Sequence, residues 1–107
     1  MAKLVDMTCS QDKKELEVLA GSAIEEYRDA LGYGWEVKDS TLEKTFKFES
    51  YQESINFANG VANIAKEQNH HPDITLSYNT VTVSLTTHKV GGLTRNDFIV
   101  AAKVETL

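Results

Sequence analysis

The sequence lacks the features by which membrane, disulfide-linked and nucleic-acid-binding proteins are recognised. Its 107 residues include one cysteine, Cys9, so no internal disulfide is possible and a reducing compartment is favoured. No apolar run approaches the roughly 18 residues of a membrane helix, and the first residues lack the basic-then-apolar pattern of a signal peptide. Basic residues are also few, 11 against 16 acidic ones, and the net charge of −5 argues against binding to nucleic acid. We therefore expect a cytoplasmic protein (nuclear is the alternative for a eukaryotic source) with no membrane partner and no direct nucleic-acid partner.

The rest of the composition is that of an ordinary folded domain. Apolar residues make up 41% of the chain and charged residues 25%, as in soluble globular proteins. A chain of this length normally folds around one core. No internal repeat, low-complexity tract or linker-like stretch divides it, so we expect a single domain over residues 1–107.

Proline and histidine are both rare, and they occur together. The only proline, Pro72, directly follows His70 and His71, and all three histidines fall between positions 70 and 88. An isolated histidine in a soluble domain is usually structural, whereas a cluster of three is more often a site. If the chain between His71 and His88 forms a hairpin, the cluster in sequence becomes a cluster in space.

The residues between the histidines have the pattern of a β-hairpin. Apolar residues alternate with polar ones in two runs, which are Ile74, Leu76 and Tyr78, then Val81, Val83 and Leu85. Asn79-Thr80 between the runs suits a tight turn. With Tyr78 opposite Val81, the apolar side chains share one face and Tyr78 belongs to the core. The same register places His71 opposite His88, with Cβ atoms roughly 4.5–5.5 Å apart.

Helix and strand patterns around this hairpin define the fold class. An apolar stripe predicts a helix over residues 10–32 with Ser10 as N-cap, and Gly21-Ser22 offers the alternative of two shorter helices. Strands are predicted at 35–37 and 42–48, a helix from Ser50 to about 69, and a last helix opened by Thr94 with Asp97 at capping-box spacing. The order α-β-β-α-β-β-α predicts an α+β fold, in which helices pack on one face of a four-stranded antiparallel sheet.

The spacing of these residues resembles the signature of the pterin-4a-carbinolamine dehydratase family. The matching positions are Lys66, His70-His71-Pro72, Tyr78, His88 and Asp97, and the similarity runs from Gly34-Trp35 to the last helix. Members of the family dehydrate 4a-hydroxytetrahydropterin, the product of aromatic amino-acid hydroxylases, to quinonoid dihydropterin. They use neither a metal nor a separate organic cofactor. The resemblance therefore implies a hydro-lyase of tetrahydropterin recycling that has a small pterin substrate and no cofactor.

The resemblance also implies roles for individual residues. The histidines matching His70, His71 and His88 act in substrate binding and in acid–base transfer at the 4a-hydroxyl and the ring nitrogen. Pterin binding is implied for five further residues, which are Trp35, Lys66, Pro72, Thr86 and Thr87. Lys66 stands where many members have an acidic residue that contacts the pterin. Asp97 is expected to support the site, although its capping-box position also gives it a structural explanation.

Family members form oligomers, so the resemblance also implies a homodimer or a homotetramer. Animal members additionally act as dimerisation cofactors of a homeodomain transcription factor. A protein-binding module is therefore the first alternative to an enzyme.

The chemistry of the residues agrees with a dehydratase and leaves a second alternative open. Removal of water requires a proton for the leaving hydroxyl and a base for the N–H, and histidine serves either role near neutrality. Three histidines are also enough to ligate a catalytic zinc ion, although no fourth ligand is fixed by spacing. Metal analysis distinguishes the two chemistries.

Overall fold

The computed structural model describes residues 3–107 and has the predicted order of elements. Helix α1 spans Gly21–Leu31, strands β1 and β2 span Glu36–Lys38 and Thr41–Lys47, and helix α2 spans Tyr51–Gln68. Strands β3 and β4 follow at Asp73–Leu76 and Thr80–Leu85, and helix α3 spans Arg95–Val104. Three short 3-10 turns lie at Leu4–Asp6, Lys13–Glu15 and His88–Val90. None of the described helices is long and apolar enough to cross a membrane.

The four strands form one antiparallel sheet in the order β1-β2-β4-β3, which confirms the predicted α+β class. In the central strand β4, every second residue is fully buried, and these residues are Val81, Val83 and Leu85. They join a core to which α3 contributes most, through Phe98, Ile99, Val100, Ala101 and Val104. The alternate residues of β4 are only half-buried, and Thr82 shares a side-chain hydrogen bond of 2.9 Å with Thr45 of β2. The period-2 pattern of the sequence therefore separates a core face from a polar face.

The predicted hairpin exists, but its register differs from the prediction by two residues. The loop is Tyr78-Asn79, closed by a hydrogen bond from the Ser77 N–H to the Thr80 carbonyl, so Leu76 lies opposite Val81. A shift of two residues preserves which face each side chain is on, which explains why the alternation alone did not reveal the error. The predicted core position of Tyr78 is wrong, since its side chain is 71% exposed.

The predicted pairing of His71 with His88 is wrong for the same reason. Asp73 lies opposite Ser84, so continuing this register aligns His71 with Thr86. Strand β4 ends at Leu85, and the chain beyond it turns back through an isolated bridge between Thr87 and Gly92. His88 reaches the neighbourhood of the other histidines through that turn and not through a strand pair.

The predicted helix over residues 10–32 is correct only for its second half. Residues 9–16, which we call the N-terminal segment, contain only the 3-10 turn Lys13–Glu15, and the chain is extended at Leu16 and Ala20. Hydrogen bonds to other elements hold this part of the chain: the Ser10 N–H donates to Asn96 Oδ1 (3.0 Å) and the Leu19 N–H donates to the Leu93 carbonyl (2.8 Å). These long-range bonds replace helical ones. Of the alternative of two shorter helices divided at Gly21-Ser22, only the second helix is present.

Candidate functional site

A cleft of about 200 Å³ opens where α2 ends, and we call it the histidine cleft. All three histidines line it, with residues from four separate parts of the chain. The lining consists of Ser10, Gln11, Leu16, Asn69, His70, His71, Thr86, Thr87, His88, Lys89 and Asn96. The structure therefore brings together the histidines, Thr86 and Thr87 of the predicted site.

The end of α2 fixes where His70 and His71 stand. Asn69 adopts a left-handed conformation (φ 51°, ψ 42°) that stops the helix, and asparagine tolerates this conformation better than most residues. The His70 N–H still donates to the Ala65 carbonyl (3.2 Å), which ties the first histidine to the last helical turn. Pro72 disfavours helical angles at His71 and directs the chain into β3. Both imidazoles thus stand at a junction between two regular elements.

His70 is held by a buried carboxylate. The Nε2 atom of His70 lies 2.6 Å from Oδ1 of Asp97, whose side chain is fully buried, whereas the His70 side chain is 11% exposed. A carboxylate only accepts hydrogen bonds, so the proton in this pair is carried by His70 Nε2. In the neutral ring, Nδ1 then retains its lone pair and is free to accept a proton.

Asp97 is itself held by three donors. Its Oδ2 atom accepts from the Thr87 hydroxyl (2.9 Å) and from the Thr94 N–H (2.9 Å), in addition to the His70 bond at Oδ1. The Thr87 hydroxyl proton is used in this bond, so Thr94 Oγ1 donates across the 2.8 Å contact between the two threonine hydroxyls. The predicted capping box of Thr94 and Asp97 is confirmed. One carboxylate therefore both caps α3 and orients His70.

His71 and His88 lie nearer to solvent than His70. Both residues are exposed, and Thr86 between them is half-buried. His88 begins the 3-10 turn His88–Val90, in which the Thr87 carbonyl accepts from the Val90 and Gly91 N–H groups (3.3 and 3.1 Å). The cleft thus has one buried, oriented imidazole and two accessible ones.

Three residues of the predicted binding set do not line the cleft. Trp35 is 4% exposed, and its Nε1–H donates to Glu105 Oε1 (2.8 Å) while its ring meets Phe46 edge-on at 6.0 Å. Lys66 is exposed in the last turn of α2, and Pro72 is half-buried beside His71. Within this structure, Trp35 joins β1 to the end of α3, and pterin binding by these three residues stays a prediction.

The sequence interpretation missed six cleft residues: Ser10, Gln11, Leu16, Asn69, Lys89 and Asn96. Four of them carry amide or ammonium groups whose partners are far away in the chain, and no periodic pattern or motif marks such residues. Asn69 was the easiest of the six to identify from the sequence, because asparagine is common at the position that follows a helix. The N-terminal residues carry no signal of a cleft, because their apolar spacing is typical of a helix.

Cys9, next to the cleft, is an unreactive structural thiol. Burial, followed by the negative charge of Asp97, raises the pKa of Cys9 to about 11, although Lys103 and Arg95 act in the opposite direction. Its Sγ–H donates to the Asn96 carbonyl across 3.6 Å. A neutral buried thiol is a poor nucleophile, so the chemistry of the cleft belongs to the imidazoles.

The described residues contain no other comparable site. No three His, Cys, Asp or Glu side chains within residues 3–107 are arranged to hold a metal ion. A larger hollow of about 660 Å³ lies between Leu4–Asp6, α1 and α3, with a mainly apolar lining that includes Leu4, Met7, Tyr27 and Leu31 but no histidine. Converging titratable groups identify a reactive site better than volume does, so the histidine cleft is the candidate site.

Comparison with known proteins identifies the family of the chain. Residues 17–107 match the family described as pterin 4 alpha carbinolamine dehydratase. A protein of Rubrobacter xylanophilus that is provisionally named pterin-4-alpha-carbinolamine dehydratase is 39% identical over 108 residues, with all of both chains covered. A protein of Nitrosomonas eutropha with the same provisional name is 38% identical over 104 residues, which is 97% of this chain and 92% of the relative.

Two solved structures share the fold. The transcriptional coactivator/pterin dehydratase from Brucella melitensis superposes with a TM-score of 0.79 at 32% identity, over 84% of this chain and 97% of that one. A pterin dehydratase-like protein identified as a RuBisCO assembly factor in the alpha-carboxysome gives a TM-score of 0.58 at 25% identity, over 71% of this chain and 90% of that one. The same fold thus occurs in proteins described by two kinds of function.

Proposed function

The chain belongs to the pterin-4a-carbinolamine dehydratase family, and we propose that its histidine cleft converts 4a-hydroxytetrahydropterin to quinonoid dihydropterin in tetrahydropterin recycling. The observation that carries the proposal is the His70–Asp97 pair, set in one cleft with His71 and His88. An imidazole oriented by a buried carboxylate, beside two accessible imidazoles, is suited to acid–base chemistry on a small neutral heterocycle.

The reaction breaks the bond between C4a and its hydroxyl oxygen, and the hydroxyl leaves as water after it gains a proton. The neighbouring ring nitrogen loses its proton, and a carbon–nitrogen double bond forms. We assign the base role to His70, because Asp97 stabilises the imidazolium that forms when Nδ1 takes up a proton. We assign proton donation to the accessible pair His71 and His88. Binding of the pterin by Thr86 and Thr87 fits their place in the lining.

Substitution of two histidines tests this assignment. We expect His70→Ala and His88→Ala each to lower kcat/KM for a 4a-hydroxytetrahydropterin by at least about tenfold, equivalent to about 1.4 kcal/mol of barrier, because each removes a proton-transfer group. Steady-state assays measure the loss, and circular dichroism checks the fold. Gln52→Ala, an exposed substitution in the first turns of α2, is the control and should retain full activity. Full turnover by both histidine variants would contradict the assignment.

Metal analysis tests the zinc alternative. Dehydration by imidazoles alone requires no metal, so the purified protein should be active at substoichiometric zinc. Stoichiometric zinc together with activity that is lost on chelation would favour the alternative.

A protein-binding function is the second candidate, favoured by the exposed aromatic pair Tyr51 and Tyr78. Their ring centroids are 6.2 Å apart in a stacked arrangement, and Leu76, two residues before Tyr78 in the chain, is also exposed. Tyr51 opens α2 and the histidines follow its end, so the 18 residues of the helix separate the two regions by roughly 27 Å. A partner, whether a transcription factor or a second copy in a homodimer or homotetramer, is expected to remain bound in His70→Ala. Loss of that partner in His70→Ala would place binding at the cleft instead.

A further inference from the structure

We propose that Gln11 is a positioning residue of the histidine cleft. Gln11 holds the part of the chain that carries His70 and His71 against the part that carries His88. The inference rests on the proposed dehydratase function. It concerns a residue outside the region 17–107 that matches the family.

Gln11 bonds to both of these parts of the chain. Its Nε2–H donates to the Gln68 carbonyl (3.0 Å), and its Oε1 accepts from Asn69 Nδ2 (3.1 Å). Gln68 and Asn69 directly precede His70 in sequence. The backbone carbonyl of Gln11 accepts from the ammonium of Lys89 (3.3 Å), which directly follows His88. One residue therefore joins the positions that flank the histidines on both sides.

The chain around Gln11 is anchored, so its place is fixed. The Cys9 N–H donates to Gln68 Oε1 (2.9 Å). Ser10 and the buried Asn96 exchange two hydrogen bonds, of 3.0 Å to Asn96 Oδ1 and 2.8 Å from Asn96 Nδ2. The N-terminal segment is thus attached to α2 through Cys9 and to α3 through Ser10, and Gln11 directly follows these two attachments in the chain.

The positions of the accessible imidazoles, those of His71 and His88, depend on these hydrogen bonds of the N-terminal segment. Among the described residues, no side-chain hydrogen bond holds the ring of His71 or His88, in contrast to His70 with Asp97. Their relative position therefore follows from the backbone that carries them. Misplacement of a reacting group by about 1 Å can cost up to about 100-fold in rate, so a modest loosening is measurable.

The carboxamide of Gln11 meets two different requirements at once. It donates to a carbonyl from its nitrogen and accepts from an amide at its oxygen, and an amide side chain does both without a change of protonation. Gln11→Ala removes both bonds. Asn69→Gly removes only the bond to Gln11 Oε1, because it deletes the donor, Asn69 Nδ2. Glycine readily adopts the positive φ of 51° found at position 69.

The test compares Gln11→Ala, Asn69→Gly and the double variant in the full chain. The matched control is Gln52→Ala, which breaks a similar exposed bond from Gln52 Nε2 to Asn56 Oδ1 (2.9 Å) at the opposite end of α2. We expect kcat to fall about three- to tenfold in each single variant with a smaller change in KM, because positioning affects the proton-transfer step. The double variant should lose little more than Gln11→Ala alone, because that substitution already removes the bond to Asn69, and the control should be unchanged.

Three results would overturn the proposal: wild-type kcat in Gln11→Ala, a change confined to KM, or additive losses in the double variant. Failure of the dehydratase function would appear differently, as absence of turnover in the wild-type protein. In that case limited trypsin cleavage after Lys13 and Lys14 decides the positioning claim. Faster cleavage in Gln11→Ala supports the claim, and equal cleavage contradicts it.

Discussion

Among single residues, Asp97 shows how one side chain serves both stability and chemistry. The sequence suggested the helix cap at Thr94 and Asp97, since capping boxes have a fixed spacing. It did not reveal the bond to His70, because the two residues meet only after β3, β4 and the turn that follows have folded. The capping role of Asp97 is therefore confirmed, and its contact with His70 supports the proposed role in the site.

Asp97→Asn should disturb the chemistry more than the fold. Oδ2 accepts two hydrogen bonds, so the amide oxygen of asparagine should occupy that position and its NH₂ group should face His70 Nε2. His70 would then accept at Nε2 and carry its proton on Nδ1, which is the wrong tautomer for a base at Nδ1. We expect kcat to fall by at least about tenfold. Nitrogen-15 NMR of the imidazole measures the tautomer directly.

Thr94→Ala is the comparison for Asp97→Asn. It weakens the same helix cap, at a cost of about 1 kcal/mol, but leaves the carboxylate on His70. Its loss of kcat should therefore be smaller than that of Asp97→Asn. An unchanged His70 tautomer in Asp97→Asn would contradict the proposed proton arrangement.

The buried thiol of Cys9 should make the free energy of unfolding depend on pH in the alkaline range. Burial raises the pKa of the Cys9 thiol to about 11 in the folded protein from 9.0 in the unfolded chain. Between these values the unfolded chain loses the thiol proton and the folded protein keeps it, so the free energy of unfolding falls as pH rises from about 9 to 11. Urea denaturation should show a smaller decline over this range in Cys9→Ala. Equal declines in both proteins would contradict the burial of the thiol.

At the scale of helices and strands, local patterns predicted most of the fold. Alternation located the strands of the hairpin, and caps located the starts of α2 and α3. The register was wrong because a shift of two residues leaves the same side chains on the core face. The first half of the predicted helix over residues 10–32 was wrong because the Leu19 N–H bonds to the distant Leu93 carbonyl and Leu16 is buried outside any helix. An apolar stripe does not distinguish such burial from helical packing.

Replacement of Gly60 by alanine should stabilise α2. The three atoms nearest to a methyl group at this position all belong to the side chain of Leu107, the first at 3.0 Å, and this side chain is exposed and has room to move. Gly60→Ala should therefore gain helix propensity and raise the free energy of unfolding by about 0.5–1 kcal/mol. Gly91→Ala has open space but a φ of +72°, so it should be destabilising instead. Urea denaturation measures both, and a destabilised Gly60→Ala would show that Leu107 is fixed.

At the scale of the whole molecule, the site is an assembly that no local pattern describes. The histidines were identified from their clustering and from the resemblance, but the cleft also needs the N-terminal segment, α3 and the turn after β4. Bonds such as that from Asn69 to Gln11 join residues far apart in the chain. Exposed amide groups have many possible partners, and only the folded chain selects among them. The clustering of the histidines was therefore predictable, and most of the residues that form the walls of the cleft were not.

The most direct test of the account is a stopped-flow assay of the wild-type protein with chemically prepared 4a-hydroxytetrahydropterin, with and without chelator. We expect quinonoid dihydropterin to form well above the spontaneous rate, and at the same rate in the presence of chelator. A rate equal to the spontaneous one, or acceleration that disappears with chelator, would contradict catalysis by the imidazoles of the histidine cleft.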